Sequence, residues 1–474
     1  MKYNFKNIIS FLLVNLFPQL SGFILLKLYT EHLGVDDFGV YNALMSIPPL
    51  LTVFASLQLH SSIGRFYFDF TESKEREKLI GTILSLVVLC SITFVFITFL
   101  FRSELNVLLF SGKLDNYDIE LVIVLLTSLF SVMNSAFNAV LIVQELGHVI
   151  VKRVALVTLV QISSIFVLLT FFNGGVLQIL SVLLLSSIFN FILVYFQSKR
   201  SFTFSLSTDF IKPIFSYSWP LVFHQLGGYL FNFSSVIILT NQLSLRDVAL
   251  FSVLFKLASL NKICVNSINT AWQPTAFRKL RNNRESGKEF IKSSYSDFLM
   301  LFFILYLILT QALSFIVENW ISNEYSSIIV LIPVMVGAYL FRLSYCFSTT
   351  LLFFDKKTHL IPVVTTIAGI INIILVSTLA TTLSFDSAVY AFTCSMLFMS
   401  LFYAIYNKLY YKVSYFKELM TIISVITFSS YVNTNYSFIT QNAIYSFLVL
   451  VFFLYLMKSG KINPKHIKEI LKRS

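Results

Sequence analysis

Charge is scarce in this chain. Only 12% of its 474 residues are Asp, Glu, Lys or Arg, whereas 57% are hydrophobic. A soluble protein of this length carries about twice that charged fraction. Polar–apolar alternation in segments of about ten is also missing, which excludes a transmembrane barrel. Cysteine is rare. Cys90, Cys264, Cys346 and Cys394 all lie in apolar runs and form no CxxC pair, so they read as small core residues, not as disulfides or metal ligands. There is no GxxxxGK[ST], which excludes a built-in ATPase of that type, no HExxH and no glycine-rich dinucleotide loop. The six histidines are scattered. Without a catalytic constellation, a transporter fits better than an enzyme.

What is present in quantity is long apolar sequence. The mean hydropathy is +0.79, and runs of 18 or more apolar residues, each able to cross about 30 Å of hydrocarbon as a helix, recur throughout. The expected fold is an all-α polytopic membrane protein with about fourteen spans: 7–29, 40–62, 79–101, 119–143, 151–172, 176–197, 213–238, 246–271, 293–316, 327–352, 358–383, 386–407, 418–434 and 437–457. The first begins after Lys2 and Lys6 like a signal peptide. Its apolar stretch is too long for one and no small-x-small site follows, so a retained helix is expected.

Orientation follows from the 35 Lys and Arg residues. Twenty-eight fall on one side of this plan, among them Arg65 to Lys78, Lys199 to Lys212 and Arg278 to Lys292. Four (Lys27, Arg102, Lys113, Arg246) fall on the other, and three lie inside spans. The positive-inside rule places both termini in the cytoplasm. The net charge of +12 is spread over all inner loops, so it carries no nucleic-acid signal. Tail lysines Lys461, Lys465, Lys468 and Lys472 share one helical face, which serves as an orientation signal or as a docking strip for anionic lipid.

One phrase is written twice. LGVDDFGVYN (33–42) returns as LSLRDVALFS (243–252), an offset of 210 residues. The same offset places Glu75 on Glu285, Lys78 on Lys288, Glu145 on Asp355 and Asn15 on Gln225. Six spans separate the copies. An even number preserves direction, so the halves are parallel repeats about an axis near the membrane normal. The expected organisation is an N-lobe of six helices (1–200), a cytoplasmic linker (201–212), a C-lobe of six helices (213–410), two additional helices (411–457) and a basic tail (458–474), with a cleft between the lobes. The repeated phrase is the short outer turn after the first and the seventh span.

LGVDDFGVYN entering the second span, RFYFDFTESKEREKL (65–79) after it, and SWPLVFHQ (218–225) opening the seventh resemble polysaccharide-biosynthesis flippases. These are exporters of O-antigen and exopolysaccharide units in the multidrug/oligosaccharidyl-lipid/polysaccharide superfamily, which includes the MATE transporters. The resemblance covers essentially the whole chain. It implies an undecaprenyl-pyrophosphate-linked oligosaccharide as substrate, moved from the inner to the outer leaflet of a bacterial inner membrane by lobes that alternate between inward-open and outward-open.

Candidate binding residues are polar groups inside spans. Lys256 and Lys262 in the eighth span and Arg342 in the tenth each cost about 2.5–3.5 kcal/mol at the bilayer centre, so they should face a wet cavity or an anion. Helical spacing adds Tyr339 beside Arg342, and His224, Gln225 and Asn232 on one arc of the seventh span. Asn15 and Gln19 flank Pro18 in the first. Polar stripes also act as helix–helix glue. His60 reads as interfacial, and Trp219, Trp272 and Trp320 as interface anchors. No cofactor is expected; the driving force would be a proton or sodium gradient or the membrane potential. Expected partners are the lipid-linked substrate, membrane lipids, a polysaccharide polymerase and a chain-length regulator. Three rival readings remain. A lipid II flippase uses the same chemistry. A multidrug cation antiporter needs a membrane-embedded acid, which the first span lacks between Phe11 and Lys27. A polymerase or ligase usually carries a long reactive outer loop, and the longest here, 102–118, is short and has no histidine.

Overall fold

The computed structural model describes residues 5–357 and 359–458, with the side chains of 5–13, 15, 16, 20, 270, 271 and 453–458 outside that description. The expected tail lysines from Lys461 onward and the side chain of Asn15 therefore lie outside the described residues. Among the described residues the regular structure is helical, with no strand. The helices are α1 (Phe5–His32), α2 (Val35–Met45), α3 (Ile47–Ser56), α4 (Ser61–Phe66), α5 (Ser73–Leu100), α6 (Arg102–Phe110), α7 (Asp118–Val143), α8 (Gly147–Phe172), α9 (Val176–Ser198), α10 (Thr208–Gln242), α11 (Leu245–Ala258), α12 (Leu260–Asn282), α13 (Arg284–Trp320), α14 (Ile332–Phe354), α15 (Leu360–Leu383), α16 (Asp386–Tyr406), α17 (Phe416–Asn435) and α18 (Phe438–Lys458). The expected spans fall on helical structure, with the second and the eighth interrupted. Among the described residues, eleven helical stretches are long and apolar enough to cross a membrane, and Phe438–Phe452 is a shorter apolar one.

The 210-residue offset is visible in where helices start. Val35 of α2 maps onto Leu245 of α11, and Val176 of α9 maps onto Asp386 of α16. The acids of the repeated phrase have a structural role at these starts. Asp36 and Asp37 sit in the first turn of α2, where the positive helix end favours anions. In the second copy Ser244 and Asp247 form a reciprocal cap: the Ser244 N–H donates to Asp247 Oδ2 at 3.2 Å, and the Asp247 N–H donates to Ser244 Oγ at 3.2 Å.

Contacts divide the chain into two compact units, Met1–Ser252 and Val253–Ser474. In the first, α5 packs on α7, α7 on α9, α8 on α9, and α3 on both α5 and α7. In the second the equivalent pairs recur: α13 with α14, α14 with α16, α15 with α16, and α12 with both α13 and α14. Helix α10 packs on α2 to α6 and so groups with the first unit. There Leu79, Ile83 and Val87 of α5, Phe137 and Val140 of α7 and Ile214 of α10 share one apolar core. In the second unit α14 is central, with nearly every residue from Ile332 to Leu352 buried.

Polar side chains stitch these helix seams. Thr393 and Ser400 on α16 and Asn407 just after its last residue recur every seven residues, two helical turns. They donate to the carbonyls of Val334, Phe341 and Ser348 on α14 at 3.5, 2.6 and 2.9 Å. In the first unit Arg153 of α8, counted from the sequence as an inner-loop charge, is only 2% exposed. It donates to Gln197 Oε1 on α9 at 2.7 Å and to Asn138 Oδ1 on α7. Trp272, expected at an interface, is buried against Phe347 with ring centroids 4.2 Å apart.

Within the first unit the two copies of the repeated phrase touch. A Cβ on Gly39 would lie 2.0 Å from the Leu245 carbonyl oxygen, and Lys113 Nζ donates to the Leu243 carbonyl. In the second unit, the loop after α14 is held by Arg284 and Asp355, whose charged groups are 2.8 Å apart. Burial alone would raise the Asp355 carboxyl. Hydrogen bonds from Arg284 and Tyr411, with the charges of Arg284 and Lys357, outweigh it and hold the group below its ordinary value of 3.8.

Two outcomes follow. Gly39→Ala forces backbone apart and should cost about 1–3 kcal/mol, read as a lower melting temperature. Gly34→Ala, with nothing within 4 Å of the new methyl, should melt like wild type. Asp355→Asn should also melt lower at neutral pH. Because the folded value is depressed, its contribution is full above the ordinary carboxyl value and is lost as pH falls through the folded one. The melting difference should therefore close as pH is taken below about 4.

Candidate functional site

The second expected span is not one continuous helix. Pro48 stands in the first turn of α3 and lacks an N–H, which suits the break at Ser46. A second break follows α3, where Leu57 and Gln58 adopt positive φ, 44° and 54°. Neither is glycine, so each stores about 1–3 kcal/mol of strain that its surroundings must hold. The Gln58 N–H donates to Ser56 Oγ at 3.1 Å, and Ser61 Oγ donates to Gln58 Oε1 at 3.3 Å. Irregular backbone at membrane depth is tolerated where it is buried in protein or lines a wet cavity.

A cavity of about 380 Å³ lies beside this break, wholly within the first unit. Thr52 and Ser56 of α3, Gln58 and His60 of the break, Ser135 of α7, and Gln225, Gly228, Tyr229 and Asn232 of α10 line it. Gln225 and Asn232 are seven residues apart, on one face of α10. Between them a Cβ on Gly228 would meet nothing within 4 Å, so the absence of a side chain there leaves space. The Tyr229 hydroxyl donates to the Ser46 carbonyl at 3.2 Å, which ties α10 to the α2–α3 break. His224, the neighbour of Gln225, is exposed and is not among the lining residues. Gln19 is exposed on α1 and is not among them either.

The second unit holds the cations. Arg342 Nη2 on α14 donates to Asn266 Oδ1 on α12 at 3.3 Å. Lys262, one turn before Asn266, feels the like charge of Arg342, and the same charge acts on Tyr339, Tyr345 and Cys346. Tyr339 is 2% exposed and packs on Phe392 at 6.0 Å. The Arg342 Nε is buried without a hydrogen-bond partner. Lys256 stands half-buried in the last turn of α11, where the helix end favours a cation. Among the described residues no cluster of His, Cys, Asp or Glu could hold a metal ion.

The predicted residues thus fall into two groups: Gln225 and Asn232 on the cavity, and Lys262, Arg342 and Tyr339 around Asn266, with Lys256 six residues before Lys262. Sequence reasoning did not single out Ser56, Gln58, Ser135 or Tyr229, and it placed His60 at an interface. The signal available was SLQLHSS (56–62), a polar run inside an apolar span shortly after two prolines.

Three comparisons bear on this arrangement. The family described as "Polysaccharide biosynthesis protein" matches residues 5–280. No protein of curated function matches the sequence significantly. Among solved structures, a lipid II flippase MurJ in an inward-closed conformation aligns with a TM-score of 0.73 at 13% identity, covering 95% of this chain and 99% of that one. An inward-facing multidrug resistance MATE family transporter of the MOP superfamily aligns at 0.65 and 12% identity, over 86% and 95%. A point mutant of the Vibrio cholerae MATE transporter VcmN aligns at 0.57 and 11% identity, over 85% and 96%. At these identities the likeness is one of fold.

The wetness of the cavity is directly testable. In a cysteine-free background, Gln225→Cys and Asn232→Cys should react with a charged, membrane-impermeant thiol reagent in detergent. Ser218→Cys on the same helix, at a fully buried position, should not.

Proposed function

We propose, since the chain belongs to the polysaccharide biosynthesis protein family, that it is a flippase moving a polyprenyl-pyrophosphate-linked oligosaccharide across the bacterial inner membrane for assembly of a surface polysaccharide. The chain is a multi-pass membrane protein with a flippase and transporter fold, and its fold neighbours are not enzymes. The observation that carries the finer reading is Arg342. It is a cation on a membrane-length helix, hydrogen-bonded to a neutral amide, with a second cation nearby. Such a charge is costly in hydrocarbon and is stabilised when an anion is brought to it.

In this reading Arg342, Lys262 and Lys256 neutralise the pyrophosphate. The lipid tail stays in the bilayer. With both termini cytoplasmic, the substrate's negative charge moves outward, which an inside-negative membrane favours by about 2.3 kcal/mol per charge per 100 mV. That potential, or a proton or sodium gradient, supplies the drive. A polymerase and a chain-length regulator would act on the product. A lipid II flippase is the nearest alternative, and the structural neighbour of that name supports it. A cation antiporter fits less well: the described cavity lining carries no carboxylate, and the mid-span charges in the second unit are positive.

The test is flipping of a fluorescent polyprenyl-pyrophosphate disaccharide in proteoliposomes. Arg342→Ala with Lys256→Ala removes charge-assisted contacts worth about 1.5–3 kcal/mol each, so flipping should fall at least tenfold while the melting temperature stays within a few degrees. A wild-type rate in a folded double variant would overturn the assignment.

A further inference from the structure

The cavity of the first unit has a chemical bias that the flippase reading does not by itself require. Its described lining includes amides, hydroxyls and aromatic rings, and no lysine, arginine, aspartate or glutamate. The amides of Gln58, Gln225 and Asn232 carry both donors and acceptors, whereas the Ser135 and Tyr229 hydroxyls, which donate to the Ser131 and Ser46 carbonyls, offer acceptors. Sugar hydroxyls are likewise donor and acceptor at once. The Tyr229 and Phe233 rings, both on the lining, stack at 5.6 Å and 16°. They present an apolar surface of the kind that the C–H face of a pyranose covers.

The one titratable group that could change sign at ordinary pH is His60, and its geometry favours the neutral ring. Its Nδ1 is buried with no hydrogen-bond partner. A second ring proton there would be a buried donor with no acceptor, which is costly. The groups facing His60 across the cavity are Ser56 and Gln58 of its own strand of chain, Ser135 of α7, and Gln225 and Asn232 of α10. None is an acid that would pay for an imidazolium. A carboxylate or ammonium on an entering sugar would therefore be buried without a counter-ion. At about 380 Å³ the volume is near the lower end for ligand sites, which suits a single sugar residue and not a whole oligosaccharide.

We propose that the cavity formed by the broken second span, α7 and α10 is a subsite for one uncharged sugar residue of the lipid-linked glycan, and that it selects against acidic and basic sugars. This rests on the flippase reading. Within the first unit the discrimination is by neutral hydrogen bonding alone.

The experiment compares two synthetic polyprenyl-pyrophosphate disaccharides that differ only in a terminal glucose or glucuronate, each flipped by full-length protein in proteoliposomes. Wild type should move the glucose lipid about tenfold faster or more. Gln225→Leu with Asn232→Leu should slow the glucose lipid more than the glucuronate lipid and so narrow the ratio. Gln225→Lys should raise the glucuronate rate and so narrow the ratio. Equal rates in wild type, or a preference for glucuronate, would overturn the subsite while leaving the flippase reading in place. Should neither lipid move faster than in protein-free liposomes, both readings fall. The wild-type ratio needs no variant, so a double variant that fails to fold does not shield the proposal.

Discussion

Inside hydrocarbon an unmade backbone hydrogen bond costs several kcal/mol, and no water is at hand to replace it. That constraint organises this chain. It makes every span helical, and it leaves polar side chains as the scarce means of joining one helix to another where the surroundings are as apolar as the helices themselves. The ladder of Thr393, Ser400 and Asn407 on α14 carbonyls is one answer. Its spacing of seven keeps all three groups on the seam, so none faces lipid. The same constraint explains why a break in helical structure is informative. The left-handed Leu57 and Gln58 interrupt a span, and the freed region is held by Ser56, Ser61 and a polar cavity, not by hydrocarbon.

The repeat shows how one seam can be kept with different chemistry. Asn407 and Ser348 join α16 to α14 in the second unit. Shifted by 210 residues, these positions are Gln197 and Asn138 in the first, on α9 and α7. There the two amides do not meet directly; Arg153 from α8 reaches both. The planar guanidinium supplies donors in a fixed fork, and two neutral amide oxygens accept from it. Polar contact is thus made at positions 210 residues apart in the two units by different residues.

Much of this fold was legible in the sequence because hydrophobic length is a strong signal. Each long apolar run became helix, and the repeated phrase marked two equivalent helix starts. The candidate site was legible only in part. Gln225 and Asn232 share an arc seven residues apart, and helical periodicity found them. Lys262 and Arg342 stood out because charge inside a span is rare. Gln58 and His60 were missed since the period-3.6 argument assumes an unbroken helix, and positive φ at Leu57 and Gln58 has no local sequence signature. Arg153 was misplaced because loop charge and buried charge look alike in one dimension. The grouping of α10 with the first unit is a property of packing, which no local pattern encodes.

The two sites differ in a way that bears on what kind of molecule they serve. A carrier of lipophilic cations needs a carboxylate in its path, since a cation must be matched by something negative when it leaves water. The charges on α12 and α14, Lys262 and Arg342, have the opposite sign, and the described lining of the first unit's cavity is neutral. Arg342 is hydrogen-bonded to Asn266, an amide that orients the guanidinium without neutralising it. Anchoring a cation to an amide leaves its charge available, whereas an aspartate at position 266 would consume it. An anion brought to Arg342 meets a charge that Asn266 has oriented and left available, whereas a cation would meet repulsion there.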